Sequence, residues 1–405
     1  MLVFIINLYS QDIDYAKTVI NDLSSKKFHG RAYTHNGALK AAKYIRNELI
    51  KWDVKPFTKD YFQYFNINTN SIKSIKYVKI NGKLINPGKD YTIYNTSSTC
   101  KGKFDVIKID STFFSKEKIN DITGKFVLVD ESDFTSKNNV QLLAALEYTD
   151  LIKIKGVIVV SDKNPSQTMS VKPVNHAVIK IKRDSSLAEI KNIEINYKNK
   201  FLKNIKTQNV VGYIPGEVDT FIMFGAHYDH LGEMGKDAYF PGANDNASGC
   251  AMLLNLAKYY SKNKPHYSLI FAFFSAEEVG ILGSQYMSEQ MPVNFNKIKF
   301  FFNLDLVGTG EEGIKIVNGT IFKKEFSILD SLNNVNNYFV KIGKRGEARN
   351  SDHYYFYKKG VPSFFIYTLG GSKEYHNVFD TPCSISLCEF NDLFLILRDF
   401  ISNYQ

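Results

Sequence analysis

The sequence predicts an α/β fold: a three-layer sandwich around a mixed, largely parallel sheet, with a smaller β-rich domain inserted into it. Three observations carry this expectation. From about residue 208 onward, near-continuous apolar strands alternate with helical stretches, the pattern of a parallel sheet covered on both faces. Between about 70 and 200 the texture changes to short β-rich runs separated by turn residues. Ahead of both, "ALKAAKYIRNELI" (38–50) sets Leu39, Ala42, Ile45 and Leu49 at helical spacing, an amphipathic helix with one apolar stripe.

Taken in order, the elements assign residues 1–70 to the first part of the main domain, 71–204 to the insert and 205–405 to the rest of the main domain. The insert carries "SIKYVKI", "KFVLVD" and "GVIVVS" as strands and "NNVQLLAALEYTDLIK" as a helix. In the main domain, "TFIMFGA" (220–226), "YSLIFAFF" (267–274), "KIKFFFNL" (297–304) and "GVPSFFIYT" (360–368) read as strands. "NASGCAMLLNLAKYYSK" (246–262) and "GILGSQYMSEQ" (280–290) read as the helices between them.

Composition narrows the function. The 405 residues are 44% apolar and 23% charged, as in a globular protein with a sizeable core. The excess of 51 Lys+Arg over 41 Asp+Glu gives +10, but the lysines are dispersed, and no zinc-finger spacing or RNP-like motif accompanies them. The excess reads as solvated surface rather than a nucleic-acid site. No run approaches the ~18 apolar residues of a membrane span. Four cysteines, at 100, 250, 383 and 388, do not make a disulfide scaffold, although Cys383 and Cys388 are close enough to bridge in an oxidising compartment. The start, "MLVFIINLYSQDID", has three readings, the clipped remnant of an export signal, a first strand or a disordered end; the first, which is favoured, points to a periplasmic or extracellular protein.

Ligands of open α/β sheets bind beyond the carboxyl ends of the strands, and chemistry-bearing residues gather there. His227, Asp229 and His230 follow the first strand, with Asp245 in the loop after them. Glu277 and Glu278 follow the second strand, Asp305 the third and His376 the fourth. Each has an ordinary alternative. Ser275 and Glu278 fit an S-x-x-E capping box, Asp245 could cap the helix after it, and a lone histidine is commonly structural. Together they are harder to explain, because several carboxylates at one edge cannot all stay ionised without compensation. Lysine and arginine are absent from these loops apart from Lys236 and Lys373. Metal ions are therefore the expected counter-charge. Asp245, Glu278 and Asp305 sum to −3, which two divalent ions and one hydroxide balance, leaving Glu277 to titrate. Nitrogen and carboxylate donors without thiolate suit zinc, with cobalt or manganese as substitutes.

"HYDHLG", "PGANDNASG", "FFSAEEVGILGS", "NLDLVG" and "EYHNVFDT" occur in this order, and with them the chain resembles the two-zinc aminopeptidase family, metallopeptidase family 28. Glutamate carboxypeptidase-like enzymes and glutaminyl cyclases belong to the same family. "KKFHGRAYTHNGALKAAKYI", "QNVVGYIPG" and "NSDHYYFYKKGVPSFFI" add lesser matches, so the resemblance covers roughly 20–60 and 205–400. The segment holding "ITGKFVLVD" and "IKGVIVVSD" resembles a protease-associated domain. The resemblance implies the zinc-peptidase type of sandwich and two Zn2+ ions. His227 and Asp305 would hold one ion, Glu278 and His376 the other, and Asp245 would bridge them. Asp229 would support His227 through its other ring nitrogen. Glu277 would be the general base of a metal-assisted hydrolysis of peptide substrates.

Other readings stay open. A one-zinc glutaminyl cyclase normally departs from the five-donor set, which is complete here. A carboxypeptidase needs basic residues for the substrate carboxylate, and Arg345 and Arg349 are candidates. A receptor-like binding protein that has lost catalysis would show degenerate metal positions. His353 and Asp352, in "SDHYYF", border the expected site. His230 reads as structural, and Tyr375 could line the site. The sequence leaves the oligomeric state open.

Overall fold

The computed structural model describes residues 12–113, 119–184 and 189–404. The export expectation rests chiefly on residues 1–11, which lie outside the described residues. The chain enters the fold through a capped helix, Ile13–Leu23, whose first turn is closed by Asp12 accepting from the Tyr15 amide at 2.9 Å. The amphipathic stripe read at 38–50 lies on the helix Gly37–Lys51, where Ala38, Ala41, Ala42, Ile45 and Leu49 are buried.

The main sheet runs in the order Ile342–Lys344, Gly313–Val317, Ser363–Leu369, Ile298–Leu304, Val218–His227, Tyr267–Phe274 and Asn192–Ile214. The four strands from Ser363–Leu369 to Tyr267–Phe274 are parallel. Gly313–Val317 and Asn192–Ile214 flank them antiparallel, so the sheet is mixed and largely parallel. Side chains alternate along each strand. Ile222, Phe224 and Ala226 face the helices Ile13–Leu23, Gly37–Lys51, Gly249–Tyr260 and Phe390–Asn403. Phe221 and Met223 face Met287 and Phe356, from the helices Leu282–Glu289 and His353–Lys358. These are the three layers. Phe224 stacks on Phe271 and Phe302 of the two adjoining strands, at 5.9 and 5.6 Å between centroids. Gly225 leaves room on the other face, where an added Cβ would come within 2.7 Å of Phe274 and Phe301.

The insert is continuous with this sheet. Phe62–Ile80 and Asn192–Ile214 pair antiparallel from Phe62/Val210 to Ile80/Ile193. The expected boundaries at 70/71 and 204/205 therefore fall in the middle of two long strands. Beyond them come Cys100–Lys108, Phe126–Asp130, Gly156–Ser161, Ala177–Lys182 and Tyr91–Ile93, the first four mutually parallel. The helix Lys137–Tyr148 is capped by Ser136, and an apolar cluster with Val127, Leu146, Val157 and Val178 lies beneath it. A second cluster joins insert residues Ile72, Ile193 and Ile195 to Leu231, Met234 and Phe240 of the main half. Among the described residues, no helix is long and apolar enough to cross a membrane. All four cysteines are thiols, with Cys383 and Cys388 unbridged.

Candidate metal centre

Because the four central strands are parallel, their carboxyl ends open on one edge, and the donors read from the sequence converge there. His227 is the last residue of its strand. Glu277 and Glu278 lie in the turn after Phe274, and Asp305 directly follows Leu304. Asp245 sits in the irregular turn Ala243–Ser248 ahead of the helix Gly249–Tyr260. His376 comes from the loop after Leu369, with φ of 57°.

Asp245 divides its two oxygens. His227 Nε2 lies 3.2 Å from Asp245 Oδ1 and 3.3 Å from Asp305 Oδ1. His376 Nε2 lies 3.1 Å from Asp245 Oδ2 and 3.2 Å from Glu278 Oε2. The result is two donor sets sharing one carboxylate. Metal–donor bonds of 2.0–2.2 Å at tetrahedral angles hold neighbouring donors roughly 3.3–3.6 Å apart. The spacing, the burial and the nitrogen–oxygen donor set therefore fit zinc-class ions.

The electrostatics make the same demand. Burial opposes charge on His227, yet Asp305 and Glu277 override it and hold its pKa well above the ordinary value. Burial likewise opposes charge on His376, and Glu278 and Asp245 override it. Burial would raise the pKa of Glu278, but His376 and His230 draw it down to about 2. The cluster draws in positive charge as protons or as metal ions. Glu277 behaves differently. Its pKa stands well above the carboxylate range, first through burial and then through the charges of Asp352, Asp305 and Glu278, against the pull of His227.

The surroundings correct several expectations. His227 Nδ1 lies 3.2 Å from the backbone oxygen of Asp229 and 3.9 Å from its carboxylate. The Asp229 carboxylate instead accepts from the Glu277 amide at 3.1 Å and from Tyr33 Oη at 3.0 Å, and burial raises its pKa to about 6. Ser275 caps no helix, since the next helix begins at Leu282. Its hydroxyl pairs with Thr207 at 2.7 Å. Asp245 is not a cap either, because Asn246 Oδ1 takes the Gly249 amide. His230, read as structural, sets Nδ1 2.7 Å from Glu278 Oε1, while its Nε2 is buried without a partner. Asp352 and His353 are both buried, and among the described residues neither the carboxylate of the one nor the ring nitrogens of the other make a hydrogen bond of ordinary geometry. Burial drives Asp352 up to about 7 and His353 down to about 3. Tyr375, half exposed, stacks on His376 at 3.8 Å.

Three supports were not singled out from the sequence. Arg31 is fully buried, and its guanidinium donates to five backbone oxygens: Leu23, Tyr228, Pro241, Gly242 and Asp245. It ties the His227 and Asp245 loops together. Asp380 accepts from the amides of Asn244 and Asp245 at 2.8 and 3.0 Å. Gln167, from the insert, donates its amide to the His376 carbonyl at 2.7 Å. Asp380 lay within the quoted "EYHNVFDT", and Arg31 within "KKFHGRAY". Gln167 carried no signal.

A buried two-set donor cluster at the carboxyl edge of such a sheet defines a metallopeptidase class of α/β protein. Residues 209–401, which hold the whole cluster, match the sequence model of Peptidase family M28. It is 25% identical over 392 residues to Aminopeptidase YwaD of Bacillus subtilis, covering 91% of this chain and 78% of that protein. Its fold is similar to BSAP, a zinc aminopeptidase from Bacillus subtilis, with a TM-score of 0.70, 21% identity and 95% and 93% of the two chains covered. It is also similar in fold to a Bacteroides thetaiotaomicron glutaminyl cyclase, with a TM-score of 0.54, 14% identity and coverage of 98% and 100%.

Proposed function

We propose that the chain is a zinc-dependent exopeptidase, an aminopeptidase that removes N-terminal residues from peptides. The observation that carries this reading is the division of Asp245 between two donor sets. It supports two zinc ions, with His227 and Asp305 on one side, Glu278 and His376 on the other, and Asp245 shared. Zinc held there supplies Lewis acidity, polarising a carbonyl and lowering the pKa of water toward ~7.

The chain's own groups do the rest. Glu277 takes a proton from the attacking water and returns it to the leaving amine. Asp229 fixes the aim of Glu277 by holding its backbone amide. Arg345 and Arg349, the candidates for gripping a C-terminal carboxylate, contact the hydroxyls of Tyr367 and Tyr355 instead. The name of the B. subtilis relative supports the same activity. We read residues 71–204 as a protease-associated-like insert with a positioning task, supported by the Gln167–His376 bond and by Asn164 donating to both oxygens of Glu374.

Aminoacyl-p-nitroanilides, N-acetylated peptides and a peptide beginning with Gln, each with and without chelator, test the reading. Cleavage restricted to free N-termini and abolished by chelation is expected. Cyclisation of the Gln peptide without cleavage, or cleavage of blocked peptides only, would overturn it.

A further inference from the structure

A second cluster of metal-binding side chains lies outside the buried centre. His29 Nδ1 is 3.1 Å from Glu233 Oε1, and His35 Nδ1 is 2.9 Å from Glu233 Oε2. The two rings lie 4.9 Å apart at 44°, and one donor atom from each of the three residues lies within 4.8 Å of the other two. We infer that His29, His35 and Glu233 form a separate, solvent-facing site for a divalent transition ion of the zinc class.

The donors decide the class. Two imidazoles and one carboxylate favour zinc, cobalt, nickel or copper(II) over magnesium or calcium, which prefer all-oxygen shells. The two imidazole–carboxylate distances, 3.1 and 2.9 Å, lie just under a tetrahedral zinc edge. Three protein donors leave one position for water. A cavity of about 230 Å³, lined in part by Tyr33, His35, Lys73, Lys200 and Glu233, adjoins them on the open side.

The site also has a structural consequence. It links the turn at 26–36 to the 233–239 hairpin, next to the hydrogen bond that the Gly232 amide donates to the Gly30 carbonyl at 3.0 Å. Close backbone approach fixes that contact, since a Cβ on Gly30 would come within 2.4 Å of the Gly232 carbonyl oxygen. Arg31, next along the same turn, holds the Asp245 loop. An ion here braces the turn from outside and touches no reacting group.

The test is calorimetric titration of zinc into full-length protein dialysed with its tightly held metal in place, repeated with His35→Ala and Glu233→Gln. His35 is exposed, so its replacement leaves the fold intact. One equivalent beyond the retained metal is expected in the wild type. Each variant should weaken it by roughly 10–100-fold or more, since even supporting residues of metal sites command that range, with kcat/KM unchanged. No additional equivalent, or one that persists at wild-type affinity in both variants, would overturn the assignment.

Discussion

The buried cluster around Asp245 and the surface cluster around Glu233 use the same donors, imidazole and carboxylate, at the same spacing of 2.9–3.3 Å. They differ in assembly and surroundings. The inner donors come from three strand ends and two further loops spread from residue 227 to 376, with side chains of His227 and Asp245 only 2% and 4% exposed. The outer donors come from one turn and one hairpin, and the His35 side chain is 63% exposed. In water a carboxylate beside two histidines costs little; in the interior each charge needs a partner. Glu147 supplies the third case. It is buried in the insert helix, the charge of Lys180, which pairs with Glu131, offsets only part of the desolvation, and its pKa rises to about 7. Burial, with the nearby charge of Glu131, thus makes a carboxyl group hold its proton more tightly. Burial with opposed imidazoles keeps the carboxylates charged and sets up a cation site.

This contrast can be broken at several points. The largest effect is expected from Asp245→Asn, which removes the charge shared by both donor sets. Elemental analysis should show metal content falling toward zero, and peptide hydrolysis should vanish with it. Glu233→Gln at the matching place in the outer cluster should leave hydrolysis unchanged. Next comes Glu277→Gln, expected to lower kcat by ~10²–10⁴-fold while metal content stays at the wild-type level. Loss of metal in that variant would turn Glu277 from a base into a ligand.

Glu147 sharpens the comparison through pH. Its folded pKa of about 7 lies above its ordinary value of 4.5. The folded state therefore holds the proton more tightly than the unfolded chain. The resulting stability is complete below pH 4.5 and is lost as pH rises through 7. Denaturant unfolding should show Glu147→Gln more stable than wild type at pH 8 by up to about 3 kcal/mol, with the advantage gone near pH 4. The smallest effect belongs to His35→Ala. As an exposed substitution it should shift stability by no more than about 0.5 kcal/mol in metal-free buffer and leave kcat/KM within experimental scatter.

The legibility of the sequence follows the same physics. Strands such as "YSLIFAFF" announce themselves because both faces are buried, and the observed strand Tyr267–Phe274 coincides with that run. The inner donors could be found because a parallel sheet delivers its loops to one edge. The insert's borders could not, because Phe62–Ile80 and Asn192–Ile214 are polar, partly exposed strands that cross the expected boundaries without a break in composition. Ser275 looked like a cap because its local pattern allows one, yet its partner Thr207 comes from another strand. Arg31 was unreadable as a clamp, since its five acceptors lie at 23, 228, 241, 242 and 245. His230 joined the centre only through the turn that brings Glu278 back over it.

The account rests on Asp245 serving two cations at once, and diffraction at the zinc absorption edge from crystals of the active protein tests it directly. Two anomalous peaks are expected, one between Asp245, His227 and Asp305, the other between Asp245, Glu278 and His376. A single peak, or none, in crystals whose dissolved protein still cleaves free N-termini would contradict it.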